Sequence, residues 1–255
     1  MEEKAQSHQC DTVPFGFDDI ASEDKTNRVR DLFSGVADKY DIMNDVMSLG
    51  IHRLWKEQFV TLLDPKPYRS YIDVAGGTGD IALKIADRRE TGQDIVILDM
   101  TYDMLEKGKT RKHPHNQDIQ RICGNAEQLP FAACSFDGYT ISYGIRNVTH
   151  IEKALSEAYR ALKPGGKFMC LEFTMPDHGA FRKLYDLYSF HILPKMGKII
   201  SKDEDAYRYL AESIRRFPRA DRFKTMIEQA GFQNTSYRIL SQGITAIHIG
   251  YKICL

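Results

Sequence analysis

The stretch 71-YIDVAGGTGDIALKIA-86 decides the fold. Apolar residues run up to Val74 and Ala75, and from Ile81 the apolar positions recur with helical spacing. Between them stand three glycines in four positions, Gly76, Gly77 and Gly79, bracketed by Asp73 and Asp80. A buried strand that turns through glycines into a helix marks the first crossover of a doubly wound sheet, where a ligand sits at the carboxyl ends of the strands. Glycine there tolerates positive φ and lets the backbone approach a ligand closely.

Outward from this turn the elements alternate. Strands are predicted at 70–75, 94–99, 118–122, 136–142 and 167–173, with helices at 79–89, 102–109 and 151–162 between most of them. That alternation predicts a mainly parallel sheet covered on both faces. Two helices, 24–38 and 51–63, precede it; Val29, Leu32, Phe33 and Val36 form the apolar face of the first. The turn 163-KPGG-166 is expected to stop a helix and start a strand. After 173 the alternation breaks. Residues 178–215 read as helical with an interruption near Pro194 and Gly197, a further helix follows Pro218, and strands at 234–240 and 244–253 close the chain as an antiparallel pair.

Composition bounds the function. The chain has 255 residues, enough for one full core, and 35 basic residues balance 35 acidic ones. That balance argues against nucleic acid as a partner. No apolar run is long enough for a membrane span. The five cysteines (Cys10, Cys123, Cys134, Cys170, Cys254) are scattered and never form a CxxC pair, so they read as buried free thiols and no metal site is expected. Residues 1–24 hold seven acids and one lysine, unlike a presequence or a secretory signal. Residues 1–22 are expected to be a loosely ordered arm, pinned at 14-PFGF-17, with one domain over 23–255.

For 73-DVAGGTGD-80 three readings compete: a plain tight turn, a dinucleotide site, and a site for another nucleoside cofactor. G-x-G-x-x-G would require Gly at position 82, which is Ala82. The strand 95-IVILD-99 ends in Asp99, about twenty residues past the glycines, where an acid accepts hydrogen bonds from a ribose diol. Asp99 or Thr101 would equally serve as N-cap of the 102–109 helix, and NAD would satisfy Asp99 as well.

The form D-x-x-G-G-T-G-D resembles the first motif of class I S-adenosylmethionine-dependent methyltransferases. That cofactor lacks a pyrophosphate and carries a sulfonium and an ammonium, which an acid such as Asp73 helps to stabilise. The resemblance implies that Gly76, Gly77, Thr78 and Gly79 form the cofactor turn and that Asp99 and Met100 meet the ribose. It implies further that 124-GNAEQLPF-131 lies along the adenine, with Asn125 bonding its amino group and Ala126 leaving room for the ring. The segment 142-SYGIRNV-148, beginning at Ser142, would line the active site.

A narrower likeness follows. The segment 40-YDIMNDVMSLGIHRLW-55 resembles a signature of the UbiE family of quinone-ring C-methyltransferases, and 160-RALKPGGKFMCLEFT-174 its second signature, with Ala161 and Thr174 as departures. The likeness spans about residues 25–253. It implies methyl transfer from S-adenosylmethionine, without a metal, to a ring carbon of 2-methoxy-6-polyprenyl-1,4-benzoquinol, or to a menaquinone precursor. A methyltransferase for another small phenol is the wider alternative. A ring carbon attacks only as its hydroxyl loses a proton, so the site needs a proton acceptor and a phenolate holder. Candidates are Arg146, as phenolate holder or water polariser, Asn147, Tyr40 and His52; an ion pair for Arg146 and a packing role for His52 are the bland alternatives. The helical region 176–216, with Lys183, Lys195, Lys198 and Lys202 among apolar residues, reads as lid or membrane-surface segment as well as plain packing. The ubiquinone-pathway branch implies the matrix side of the mitochondrial inner membrane, peripheral membrane contact, a biosynthetic complex and a homodimer as partners; a bacterial branch implies the cytoplasm.

Overall fold

The computed structural model describes residues 11–36, 45, 48, 50–88, 94–176 and 204–253. Its centre is a seven-stranded sheet built from β3 (Ser70–Val74), β4 (Asp94–Asp99), β5 (Gln120–Cys123), β6 (Phe136–Ser142), β7 (Leu162–Phe173), β8 (Gln233–Leu240) and β9 (Thr245–Tyr251), in the order β5-β4-β3-β6-β7-β9-β8. Strands β3 to β7 run parallel, and β9 lies antiparallel between β7 and β8. This is the mainly parallel sheet expected from the alternation, closed by an antiparallel pair.

Strand periodicity sorts the core into two layers. Ile72, Val74, Val96 and Leu98 face α5 (Ile151–Ala161) and α7 (Ala220–Gln229), meeting Leu155, Ala158, Phe223 and Ile227. Tyr71, Ile95 and Ile97 face the other way, onto α2 (His52–Leu63) and α3 (Asp80–Asp87), meeting Phe59, Ile81 and Ile85. Both faces of β4 are thus buried, as its continuous apolar sequence requires. Among the described residues the remaining α-helices are α1 (Ser22–Val36), α4 (Tyr102–Lys109) and α6 (Glu204–Arg216).

The structure differs from expectation at three places. Residues 12–21, expected to be loose, pair as a hairpin of β1 (Thr12–Phe15) and β2 (Asp18–Ala21) that runs straight into α1. The 163-KPGG-166 segment is not a free turn. It lies inside β7, because Gly165 donates to Lys252 O at 2.7 Å and Lys252 donates to Gly166 O at 3.0 Å. Cys123 and Cys134 are exposed thiols, and only Cys170 is buried among the described cysteines. Of the long helical region, α6 is described; the interruption near Pro194, the four lysines and the rest of 177–203 lie outside the described residues.

Candidate active site

A cavity opens at the carboxyl ends of β3, β4 and β6, holding about 710 Å³ of empty space counted out to its mouth. Ala75 and Gly77 border it from the glycine turn, Asp99, Met100 and Thr101 from the end of β4, and Asn125 and Ala126 from the loop after β5. Tyr143, Gly144 and Asn147 border it from the loop after β6, while Thr26, Val29 and Phe33 of α1 form its roof.

Asp99 organises this end of the sheet. Its Oδ2 accepts the Gly77 amide and its Oδ1 the Thr101 amide, both at 2.8 Å. Thr101, not Asp99, stands at the N-cap of α4. The Thr101 hydroxyl and the Met100 amide also bond to this carboxylate, which stands at the cavity border as a charged acceptor for a diol. Burial pushes its carboxyl up, and the amides of Thr101 and Gly77 pull against that rise. Gly77 has φ +53°, the left-handed region where a side chain is strained. The turn closes through the Gly79 amide on Gly76 O at 2.8 Å, and Gly79 starts α3. Gly76, Thr78 and Gly79 shape the turn without bordering the cavity.

Asp73 does not reach the cavity. It is 1% exposed and accepts the Thr140 hydroxyl at 2.8 Å across the β3–β6 pair. Burial pushes its carboxyl up to about 7, with Thr140, the Lys56 charge and the Ala82 amide pulling the other way. Its carboxylate is held against the glycine turn, where a Cβ on Gly76 would stand 2.8 Å from Asp73 Oδ2, and does not border the cavity. Ser142 likewise stays off the cavity border. Asn125 Oδ1 accepts the Glu127 amide at 2.9 Å, so a bond from an adenine amino group requires the second lone pair of that oxygen.

The four catalytic candidates separate. Asn147 borders the cavity. Arg146 borders a neighbouring cavity between α1, α6 and α7. Its Nη1 donates to Glu172 Oε1 at 3.0 Å and to Tyr143 O, so the structure builds the ion pair that was its bland alternative. His52 is buried; its Nδ1 lies 2.8 Å from Ser48 Oγ, and Ser48 Oγ accepts its amide at 3.2 Å. Burial, then the Lys56 charge, lowers its pKa. It borders neither cavity. Tyr40 lies outside the described residues. Trp55, the last fixed letter of the first signature, donates to Ser241 Oγ at 2.9 Å and ties α2 to the β8–β9 turn.

The sequence profile of the ubiE/COQ5 methyltransferase family matches residues 21–252. The chain belongs to the ubiE/COQ5 methyltransferase family. It is 49% identical over 255 residues to the ubiquinone/menaquinone biosynthesis C-methyltransferase UbiE of Ruegeria sp., covering 99% of this chain and 100% of that one. It is 45% identical over 258 residues to the mitochondrial 2-methoxy-6-polyprenyl-1,4-benzoquinol methylase of Oryza sativa, covering 94% and 88%. Among solved structures it resembles a SAM-dependent methyltransferase from Thermotoga maritima, with TM-score 0.62 and 20% identity over 87% of this chain and 99% of that one, a likeness of fold.

Within the ubiE/COQ5 frame the residues missed by the sequence reading stand out. Glu127 accepts the amides of Thr149 and His150, joining two cavity loops. Lys25 is 3% exposed, donates to Val148 O at 2.9 Å, and is lowered to about 8 by burial. Tyr209 reaches Asn147 from α6. The apolar face of α1 was legible as Val29 and Phe33, but not what it covers.

Proposed function

We propose that this chain transfers a methyl group from S-adenosylmethionine to a ring carbon of 2-methoxy-6-polyprenyl-1,4-benzoquinol. The observation that carries the cofactor half is Asp99 at the cavity border, its two oxygens aligned by the Gly77 and Thr101 amides. The names of the relatives carry the quinol half. Bound S-adenosylmethionine supplies an electrophilic methyl on a sulfonium. The chain's residues do the rest. Asp99 accepts the ribose hydroxyls, and Ala126, Leu98, Met104 and Phe33 offer an apolar slot for the base. Roofing by α1 keeps water from the reacting carbon.

Asn147 is the carboxamide among the side chains that the stretch after β6 brings to the cavity border, and we assign it the quinol oxygen. Hydrogen bonds aimed where negative charge develops lower the barrier most. Arg146, held by Glu172, fixes the backbone of that loop and leaves Asn147 to meet the substrate. A polyprenyl substrate resides in a bilayer, so the reaction requires the chain to reach a membrane surface; among the described residues no helix is long and apolar enough to cross one. Location at the matrix side of the inner membrane is proposed on the rice relative, whose printed name is mitochondrial.

Mass spectrometry of the purified protein with S-adenosylmethionine and a short-tailed 2-methoxy-6-prenyl-1,4-benzoquinol, which lacks the acceptor methyl, tests the reading. A mass gain of one methyl on a ring carbon is expected. An unmodified quinol beside a methylated simple phenol would overturn it. Because the bacterial relative's name carries both quinones, a demethylmenaquinol competes in the same assay, and preference for it assigns the other pathway.

A further inference from the structure

The N-terminal hairpin reaches the active site through one tyrosine. Phe15 of β1 stacks on Tyr209 of α6, with ring centroids 4.5 Å apart and 30° between planes. Two polar contacts fasten the same elements: the Phe17 amide donates to Glu212 Oε2 at 3.2 Å, and Arg216 pairs with Asp19. Tyr209 is 6% exposed, and its hydroxyl donates to Asn147 Oδ1 at 3.1 Å. Burial pushes that hydroxyl up to about 12, so it keeps its proton and its donor role through the physiological range.

A carboxamide is nearly symmetric in shape, and its hydrogen-bond partners decide which end faces where. A donor on Oδ1 commits the carbonyl end of Asn147 to α6. The NH₂ end is then the one left for the cavity that Asn147 borders. An NH₂ group there donates to a developing phenolate; a carbonyl in its place would repel it.

We propose that Tyr209 is a positioning residue that holds the Asn147 carboxamide with its NH₂ end available to the substrate oxygen, and that the N-terminal hairpin holds Tyr209 in turn. The proposal rests on the function proposed above for this site. It also explains why a hairpin remote in sequence belongs to the folded domain: without Phe15 the Tyr209 ring loses its stacking partner.

Tyr209→Phe keeps the ring and the stack on Phe15 and deletes only the hydroxyl. Its kcat on the quinol is expected to fall about tenfold, with KM and S-adenosylmethionine affinity within about twofold, because the bond matters most as charge develops. Tyr209→Phe combined with Asn147→Ala should lose no more than Asn147→Ala alone, since both changes act on one group. Phe15→Leu should move kcat in the same direction by less. The Asn147 side-chain amide signals, assigned by their loss in Asn147→Ala, should shift in the NMR spectrum of Tyr209→Phe. Wild-type kcat in Tyr209→Phe, single-variant losses that multiply in the double variant, or unmoved Asn147 amide signals would each overturn the proposal. The amide signals need no turnover, so absence of product from the wild-type enzyme would count against the proposed function and leave this result to be read by itself.

Discussion

Arg146 and Glu172 form an ion pair inside the protein, Nη1 to Oε1 at 3.0 Å, with side chains only 5% and 1% exposed. Glu172 also accepts the Phe173 amide at 2.8 Å and the Arg146 amide at 3.4 Å. Burial pushes the Glu172 carboxyl up, and the Arg146 charge is the largest influence pulling it down.

Removing one partner of a buried pair leaves an uncompensated charge. Arg146→Ala is therefore expected to destabilise the protein by about 3–5 kcal/mol in chemical denaturation. Arg146→Met with Glu172→Leu should recover most of that loss, because matched apolar groups replace the pair. Activity should return with stability if Arg146 only holds the loop. A stable but inactive double variant would place its guanidinium in the chemistry. Both contacts come from the single nitrogen Nη1, and an ammonium carries donors enough for both, so Arg146→Lys should recover part of the loss.

Asp99→Ala should weaken S-adenosylmethionine binding at least tenfold by calorimetry, since charged acceptors contribute about 1.5–3 kcal/mol per hydrogen bond. It should also lower stability, because the buried Gly77 and Thr101 amides lose their acceptor. Unchanged affinity, or tighter binding of NADH, would remove Asp99 from the cofactor site.

Gly77 and Gly166 should respond differently to substitution. Gly77→Val places a branched side chain at φ +53° on the cavity border, with its Cβ 3.2 Å from Met104 Cε, and binding should be lost while circular dichroism stays near wild type. A Cβ on Gly166 would stand 2.7 Å from Lys163 O, inside the paired β7 segment. Gly166→Ala should then lower the melting temperature and leave binding intact. Equal behaviour of the two would make the Gly77 turn purely structural.

His248 should make stability fall in acid. Its Nε2 lies 2.9 Å from Ala220 O, and burial lowers its pKa from 6.5 to about 4. The unfolded chain takes up the proton first, so stability is lost as pH falls from about 6.5 towards 4, by at most about 3 kcal/mol. Asp73 runs the other way: its carboxyl is raised from 3.8 to about 7, so its contribution falls as pH rises across that window. His248→Gln should flatten the acid loss in melting curves, and Asp73→Asn should remove the opposing slope. A wild-type acid slope in His248→Gln would exclude His248 as its source.

The doubly wound order was legible because each piece of it is local. The apolar run 95-IVILD-99, the period of 81-IALKIA-86 and the glycines between β3 and α3 each speak within a few residues. So was the placement of Asp99 and Asn147 at the cavity border, since strand ends in this topology fall on one edge. The hairpin at 12–21 was not legible: its partners Glu212 and Tyr209 lie nearly two hundred residues away, and nothing in 14-PFGF-17 names them.

By itself, the sequence determined that a nucleoside-type site would form at the carboxyl edge of a parallel sheet, because hydrophobic period and glycine placement act through short-range geometry. Only the tertiary structure decided which acids and bases meet. It buried Asp73 against Thr140, paired Arg146 with Glu172, held His52 on Ser48, roofed the cavity with α1 and brought Tyr209 to Asn147 across 62 positions of chain. Burial and hydrogen-bond partners are properties of neighbours in space, and those neighbours come from elements whose spacing along the chain carries no record of the contact.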